Sequence, residues 1–137
     1  MKNNFDKLLS NFNTNSSISL EKLNNAISIN LPSDYIQFMI QYNGGEGFIG
    51  LESYLILWKI DEIISLNEAY EVSEYAPGLI LFGSNGGGEA FAFDTRFDKY
   101  SIVSIPFVGM DNSLAKIVAT NFTDFLKVLN KGDYNLK

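Results

Sequence analysis

The chain has 137 residues, is 46% hydrophobic and carries a net charge of −6 at pH 7, which suits one compact domain over residues 1–137 with its own core. It has no histidine and no cysteine, and this excludes Ser-His-Asp and Cys-His catalysis, a disulfide framework and a cysteine zinc site. The acidic balance argues against nucleic-acid binding, and the lack of a long apolar run or signal-peptide core predicts a cytoplasmic protein without a membrane span.

The first third of the chain is predicted to be helical. Apolar residues recur at helical spacing over residues 3–12, and Ser19 is suited to cap a second helix. A third helix is expected over Ser33–Tyr42, with Pro32 in its first turn. The glycine-rich stretch 43–47 is predicted to end this helix, because glycine readily adopts the left-handed conformation found there.

The rest of the sequence predicts strands, with one helix inserted among them and one helix at the end. Asp61 and Glu62 are expected to open the inserted helix, and Thr120 or Asn121 to cap the final one, which Gly132 would end. Strands separated by short glycine turns predict an α+β domain, in which helices flank a small, largely antiparallel mixed sheet. The expected strands are residues 54–58, 79–82, 89–93, 100–105 and 114–119.

Two glycine-punctuated motifs carry a family resemblance. The first is LPSDYIQF at residues 31–38 followed by NGGEG at 43–47, and the second is LFGSNGGGEAFAFD at 81–94. In this order and at this spacing they resemble the SUKH superfamily, whose members include bacterial toxin-immunity proteins and a fungal cell-wall synthesis regulator. The resemblance implies a small mixed sheet surrounded by helices, and a binding protein rather than an enzyme, with no cofactor.

The glycine stretch 83–88 has a second interpretation, a phosphate-binding loop. A P-loop ends in Lys-Ser/Thr and opens a helix, whereas this stretch ends in Glu89 and opens a strand. Glu89 would also repel a phosphate group. We therefore predict a tight turn between two strands.

The acidic residues are concentrated in the middle of the chain, where no basic residue occurs between Ile60 and Thr95. Such a field attracts a basic partner, and Asp61 and Glu68, seven residues apart, would share one helix face. Trp58 ends a strand and suits either the core or an exposed aromatic anchor. The predicted partner-binding residues are Glu46, Glu52, Trp58, Asp61, Glu62, Glu68 and Glu89.

The favoured function is an immunity protein that neutralises a cognate toxin with a basic surface by stoichiometric occlusion. One alternative is a small carboxylate- or metal-dependent enzyme, in which Glu46, Glu89 and Asp94 would converge on a divalent cation. Another is a regulatory scaffold without a toxin partner, as in the fungal branch of the superfamily. That branch carries long extra segments, so a chain of this length favours the immunity reading.

Overall fold

In the computed structural model, which describes residue 5 and residues 7–132, seven strands form one antiparallel sheet. Strand order in the sheet follows the order in the chain, so the sheet is a meander. The α+β prediction is confirmed, and every neighbouring pair in the described sheet is antiparallel. The strands are β1 (Asn11–Thr14), β2 (Gly45–Ile49), β3 (Ser53–Leu57), β4 (Leu79–Ser84), β5 (Glu89–Asp94), β6 (Ser101–Pro106) and β7 (Lys116–Ala119).

Helices precede, interrupt and follow this sheet. The Ser19 side chain caps the first of them, and Asn121 caps the last, as predicted. Within the described residues, none of the helices is both long and apolar enough to cross a membrane. The helices are α1 (Leu20–Ala26), α2 (Ser33–Tyr42), α3 (Ile63–Ala69), α4 (Val72–Tyr75) and α5 (Phe122–Lys131), with 3₁₀ turns at Ile60–Glu62 and Asn112–Leu114.

Aromatic rings from α2 and α5 form the core against the centre of the sheet. The Tyr35 ring lies 4.9 Å from that of Phe93 and 5.2 Å from that of Phe122. Phe125 packs edge-on against Phe91 at 4.9 Å. The inward positions predicted for the last helix are confirmed, since its four large apolar residues are fully buried.

The central strands are covered on both faces. Residues 90–94 and 102–105 are buried without the alternation of a half-exposed strand. Both α3 and α4 contact β4. The Asn67 side chain on α3 accepts from the Leu81 N–H and donates to the Leu81 carbonyl, each at 2.9 Å. The Asn67 side chain thus makes the hydrogen bonds to the Leu81 backbone that a neighbouring strand would otherwise make.

The predicted first helix is wrong over its described part. Residues 3, 4 and 6 lie outside the described residues, but residues 7–10 form a turn and Phe12 belongs to β1. Phe5, Leu9 and Phe12 are buried, as their spacing suggested. Residues Asn11–Thr14 form a strand and not a helix because they pair with β2.

The stretch 43–47 ends α2 as predicted, but the left-handed residue at the end of the helix is Asn43 and not a glycine. Asn43, at φ 51°, ends the helix, whereas Gly45 and Gly47 already belong to β2. A Cβ on Gly47 would lie 2.6 Å from the Asn11 carbonyl oxygen, and one on Gly45 would lie 2.4 Å from that of Asn13. These glycines therefore allow β1 to approach β2 closely.

The inserted helix is divided into pieces. Asp61 and Glu62 belong to a 3₁₀ turn that begins at Ile60 and leads directly into α3. Glu71, at φ 56°, interrupts the helical path before α4. The glycine stretch after β4 forms the predicted hairpin turn, in which Asn85 Oδ1 accepts hydrogen bonds from the N–H groups of Gly87 and Glu89.

Candidate partner-binding site

A groove of about 830 Å³ lies on the exposed face of β1, β2 and β3. Burial alternates along β2 and β3, so the side chains of Glu46, Phe48, Tyr54 and Ile56 line this groove and the positions between them are buried. One wall of the groove is formed by residues at the end of β3 and at the start of α3. We call this feature the sheet groove. Its floor has two cross-strand rows, Asn11, Phe48 and Tyr54 in one, and Asn13, Glu46 and Ile56 in the other.

Glu46 is the acidic group of the groove floor. The Tyr54 hydroxyl donates a hydrogen bond of 2.5 Å to Glu46 Oε2, and this bond to a carboxylate raises the pKa of Tyr54. The rings of Phe48 and Tyr54 meet edge to face with centroids 5.1 Å apart. Among the described residues the one ion pair is Arg96–Asp94, so Glu46 has no paired cation there.

Glu62 lines the wall of the groove and also stabilises its local backbone. Its Oε1 accepts a hydrogen bond of 3.0 Å from the Lys59 N–H, at the start of the 3₁₀ turn. Asn43 Oδ1 accepts from the next backbone donor, that of Ile60, at 2.9 Å. The β3–α3 connection is therefore anchored to the end of α2, which holds this wall beside the floor.

The groove brings together three of the predicted partner-binding residues, Glu46, Trp58 and Glu62. Of the two positions considered for Trp58, the structure shows the core and not an exposed anchor, because only 9% of its surface is accessible. Its ring lies nearly parallel to that of Tyr70, at an interplanar angle of 11°, and Tyr70 in turn contacts Phe107 at 4.7 Å. Tyr70, which is 42% exposed, is the surface member of this aromatic row.

The other predicted residues lie outside the groove. Asp61 is exposed on the 3₁₀ turn, and Glu68 is exposed on α3, which follows that turn without a gap. Glu89 is half-buried at the start of β5. Glu52, in the β2–β3 turn, has its carboxylate beside Gly132 at the end of α5.

Exposed carboxylates also cluster on the 3₁₀ turn, α3 and α4. No ion pair involves them within the described part of the chain. Exposed apolar side chains lie among them in the chain, namely Ile64, Tyr70 and Tyr75. We call this surface the acidic face, and its carboxylates are Asp61, Glu62, Glu68, Glu71 and Glu74.

Sequence reasoning missed the groove floor because it missed β1 and β2. The predicted strand 54–58 contains Tyr54, whereas no predicted strand covers its partner Phe48. The signal was present as alternation in the sequence Glu46-Gly47-Phe48, where the outward residues are large and the inward one is glycine. Strand propensity disfavours glycine, and this concealed the pattern.

The structure does not assemble the metal site considered above. Glu89 and Asp94 occupy opposite ends of β5, a separation of about 16 Å at strand rise. Arg96 holds Asp94 through two side-chain hydrogen bonds of 2.9 and 2.8 Å, which lower the pKa of Asp94. No group of three or more metal-ligating side chains occurs among the residues that the structure describes.

Comparison with known families supplies the deciding observation. The model of the SMI1 / KNR4 family (SUKH-1) matches residues 15–128. The chain belongs to this family. The matched stretch of the SUKH-1 domain runs from the loop before α1 into α5 and includes the groove residues Glu46 and Tyr54, whereas β1 precedes it. A search of curated proteins gave no match.

Proposed function

We propose that this SUKH-1 protein is an immunity-type binding protein that neutralises a cognate toxin in a one-to-one complex. Membership of the family is compatible with this role. The observation that carries the proposal is the acidic face, whose five exposed carboxylates have no cation partner among the described residues. A toxin that acts on nucleic acid must present basic groups to phosphates, and the acidic face is complementary to such a surface.

The mechanism is occlusion, and it requires no catalytic group on this chain. Long-range attraction to the acidic face raises the rate of encounter. Ile64, Tyr70 and Tyr75, each at least 40% exposed, then supply the apolar contacts that slow dissociation. We place this encounter in the bacterial cytoplasm, where a nuclease-type toxin would reach its substrate.

The function is tested in two steps. Tagged protein is used to capture partners from the source organism at low and moderate salt, and captured proteins are identified by mass spectrometry. A captured protein with a toxic domain is then assayed with increasing amounts of this chain. We expect its activity to disappear at an equimolar ratio. Full activity in the presence of excess chain would contradict the proposal.

The acidic face makes a kinetic prediction. The double substitution Asp61→Lys/Glu68→Lys should slow association with the toxin roughly tenfold at low salt, because it reverses charges that attract a basic surface. The dependence of the association rate on salt should become flatter. Both quantities are measured by surface plasmon resonance at several ionic strengths.

The matched control is Asp98→Lys/Asp124→Lys, which changes the net charge equally at exposed positions outside the acidic face. We expect a smaller change in rate from this pair. Equal effects of the two double variants would mean that net charge alone matters. Unchanged rates in both would remove the acidic face from the mechanism.

A further inference from the structure

We infer that the sheet groove binds an arginine side chain presented by the partner protein. This inference deepens the proposed function and rests on it for the identity of the partner. The groove is separate in composition from most of the acidic face, since Glu62 is the one carboxylate they share. It gives the complex a specific contact in addition to the general attraction of acidic and basic surfaces.

The charge of the groove favours a cationic occupant. Lys59 and Glu62 line the wall with opposite charges, so Glu46 on the floor determines the net sign. The hydrogen bond from Tyr54 restrains the Glu46 carboxylate through Oε2. No other described residue donates a hydrogen bond to Glu46, and its remaining lone pairs are available to a ligand. A restrained carboxylate loses little entropy when it binds a cation.

The aromatic floor favours arginine over lysine. Phe48 is 43% exposed and its ring meets that of Tyr54 edge to face, so a flat cation can lie over an aromatic surface beside Glu46. The side-chain amides of Asn11 and Asn13 border the same rows and offer further acceptors. Guanidinium is planar and has five N–H donors, whereas ammonium has three donors and no plane.

The first test needs no toxin. Isotope-labelled protein is titrated with N-acetyl-arginine amide and, separately, with N-acetyl-lysine amide, and backbone amide shifts are followed by NMR. We expect the arginine probe to shift Asn13, Glu46, Phe48 and Tyr54, and the lysine probe to shift them less. The Glu46→Gln variant, which keeps the shape and removes the charge, should lose this response. Equal shifts from both probes, or shifts confined to the acidic face, would overturn the inference.

The second test uses the complex with the captured toxin. Glu46→Gln should weaken its affinity roughly 10- to 100-fold, since an interfacial charge-assisted contact is removed. Tyr54→Phe should weaken it about threefold, because Glu46 loses the hydrogen bond that restrains it. Asp98→Asn is the control, because it makes the same carboxylate-to-amide change at an exposed position outside both the groove and the acidic face, and it should leave affinity unchanged.

The two failures can be distinguished. Full neutralisation with unchanged affinity in Glu46→Gln would overturn the groove inference and leave the proposed function intact. A toxin that the unmodified chain does not inhibit would overturn the proposed function, while the arginine titration would still decide whether the groove binds guanidinium. Thermal unfolding of each variant checks that a lost response does not come from a lost fold.

Discussion

At the scale of single residues, Tyr35 contributes to the core through its ring but not through its hydroxyl. Its ring contacts those of Phe82, Phe93 and Phe122, and only 1% of the residue is exposed. The hydroxyl has no hydrogen-bond partner among the described residues, and burial raises the pKa of Tyr35. A buried hydroxyl without a partner opposes folding because it gives up its bonds to water.

Tyr35→Phe should therefore stabilise the protein. Removal of the hydroxyl keeps the ring contacts and should raise the free energy of unfolding by about 1 kcal/mol, measured by urea denaturation. Tyr42→Phe is the control on the same helix, because its hydroxyl accepts a hydrogen bond from Gln41. We expect no gain there. A loss of stability in Tyr35→Phe would indicate a bound water at the hydroxyl.

The sequence pattern identified Tyr35 as a core residue but could not reveal the state of its hydroxyl. Helical spacing with Phe38 and Met39 predicts burial, and all three are at most 1% exposed. Whether a buried polar atom finds a partner depends on rings contributed by β4, β5 and α5. Those contacts join residues far apart in the chain, so local spacing carries no information about them.

At the scale of elements, β1 depends on glycine in its neighbour. Gly47 has φ 151°, and a Cβ there would meet the Asn11 carbonyl oxygen at 2.6 Å and Phe12 Cα at 2.8 Å. The positive φ and the short contacts both disfavour a residue larger than glycine at position 47. Since β1 pairs with no strand other than β2, its position at the edge of the described sheet rests on this contact.

Gly47→Ala should loosen β1 and lower the free energy of unfolding by roughly 1–3 kcal/mol, because the new methyl group enforces strain or separation of the strands. Amide hydrogen exchange should accelerate most in Asn11–Thr14. Gly87→Ala is the control, since the nearest atom to its new Cβ, beyond the adjacent residues, would be Asn85 Oδ1 at an ordinary 3.6 Å. Equal stability of the two variants would show that β1 does not need a glycine at position 47.

The helices with strong local signals were predicted well. α2 occupies the expected residues, and α5 has the predicted cap at Asn121 and end at Gly132. In both helices, the apolar periodicity and the residues at the helix ends predict the same bounds. The break between α3 and α4 was not predicted, because Glu71 adopts a left-handed conformation there and nothing in the side chain of glutamate signals it.

At the scale of the whole molecule, each strand of the meander pairs with its neighbours in the chain. Hydrogen bonds that join α5 to α2 and to β3 connect segments that lie far apart in the sequence. Asp34 Oδ2 on α2 accepts hydrogen bonds from the N–H and hydroxyl of Thr123 on α5, at 2.9 and 3.0 Å. Ser53 on β3 donates to the Leu129 carbonyl at 2.7 Å. These bonds span 76 to 89 residues of sequence, and they favour cooperative unfolding.

We therefore predict that residues 1–137 unfold as a single domain. Trp58, the one tryptophan in the sequence, reports on the β3–α3 junction, and far-UV circular dichroism reports on all elements. The two signals should give the same urea midpoint. Separate midpoints would mean that the region around the sheet groove unfolds independently of the aromatic core.

The sequence by itself determined the α+β class, the aromatic core positions of α2, β5 and α5, the acidic centre of the chain and the family. Each follows from local spacing, composition or short motifs. Only the tertiary structure decided that β1 and β2 exist as strands, that Trp58 is buried, and that Glu46 lies with Phe48 and Tyr54 in one groove. These features depend on which strand pairs with which, and glycine-mediated pairing between distant segments overrides local propensity.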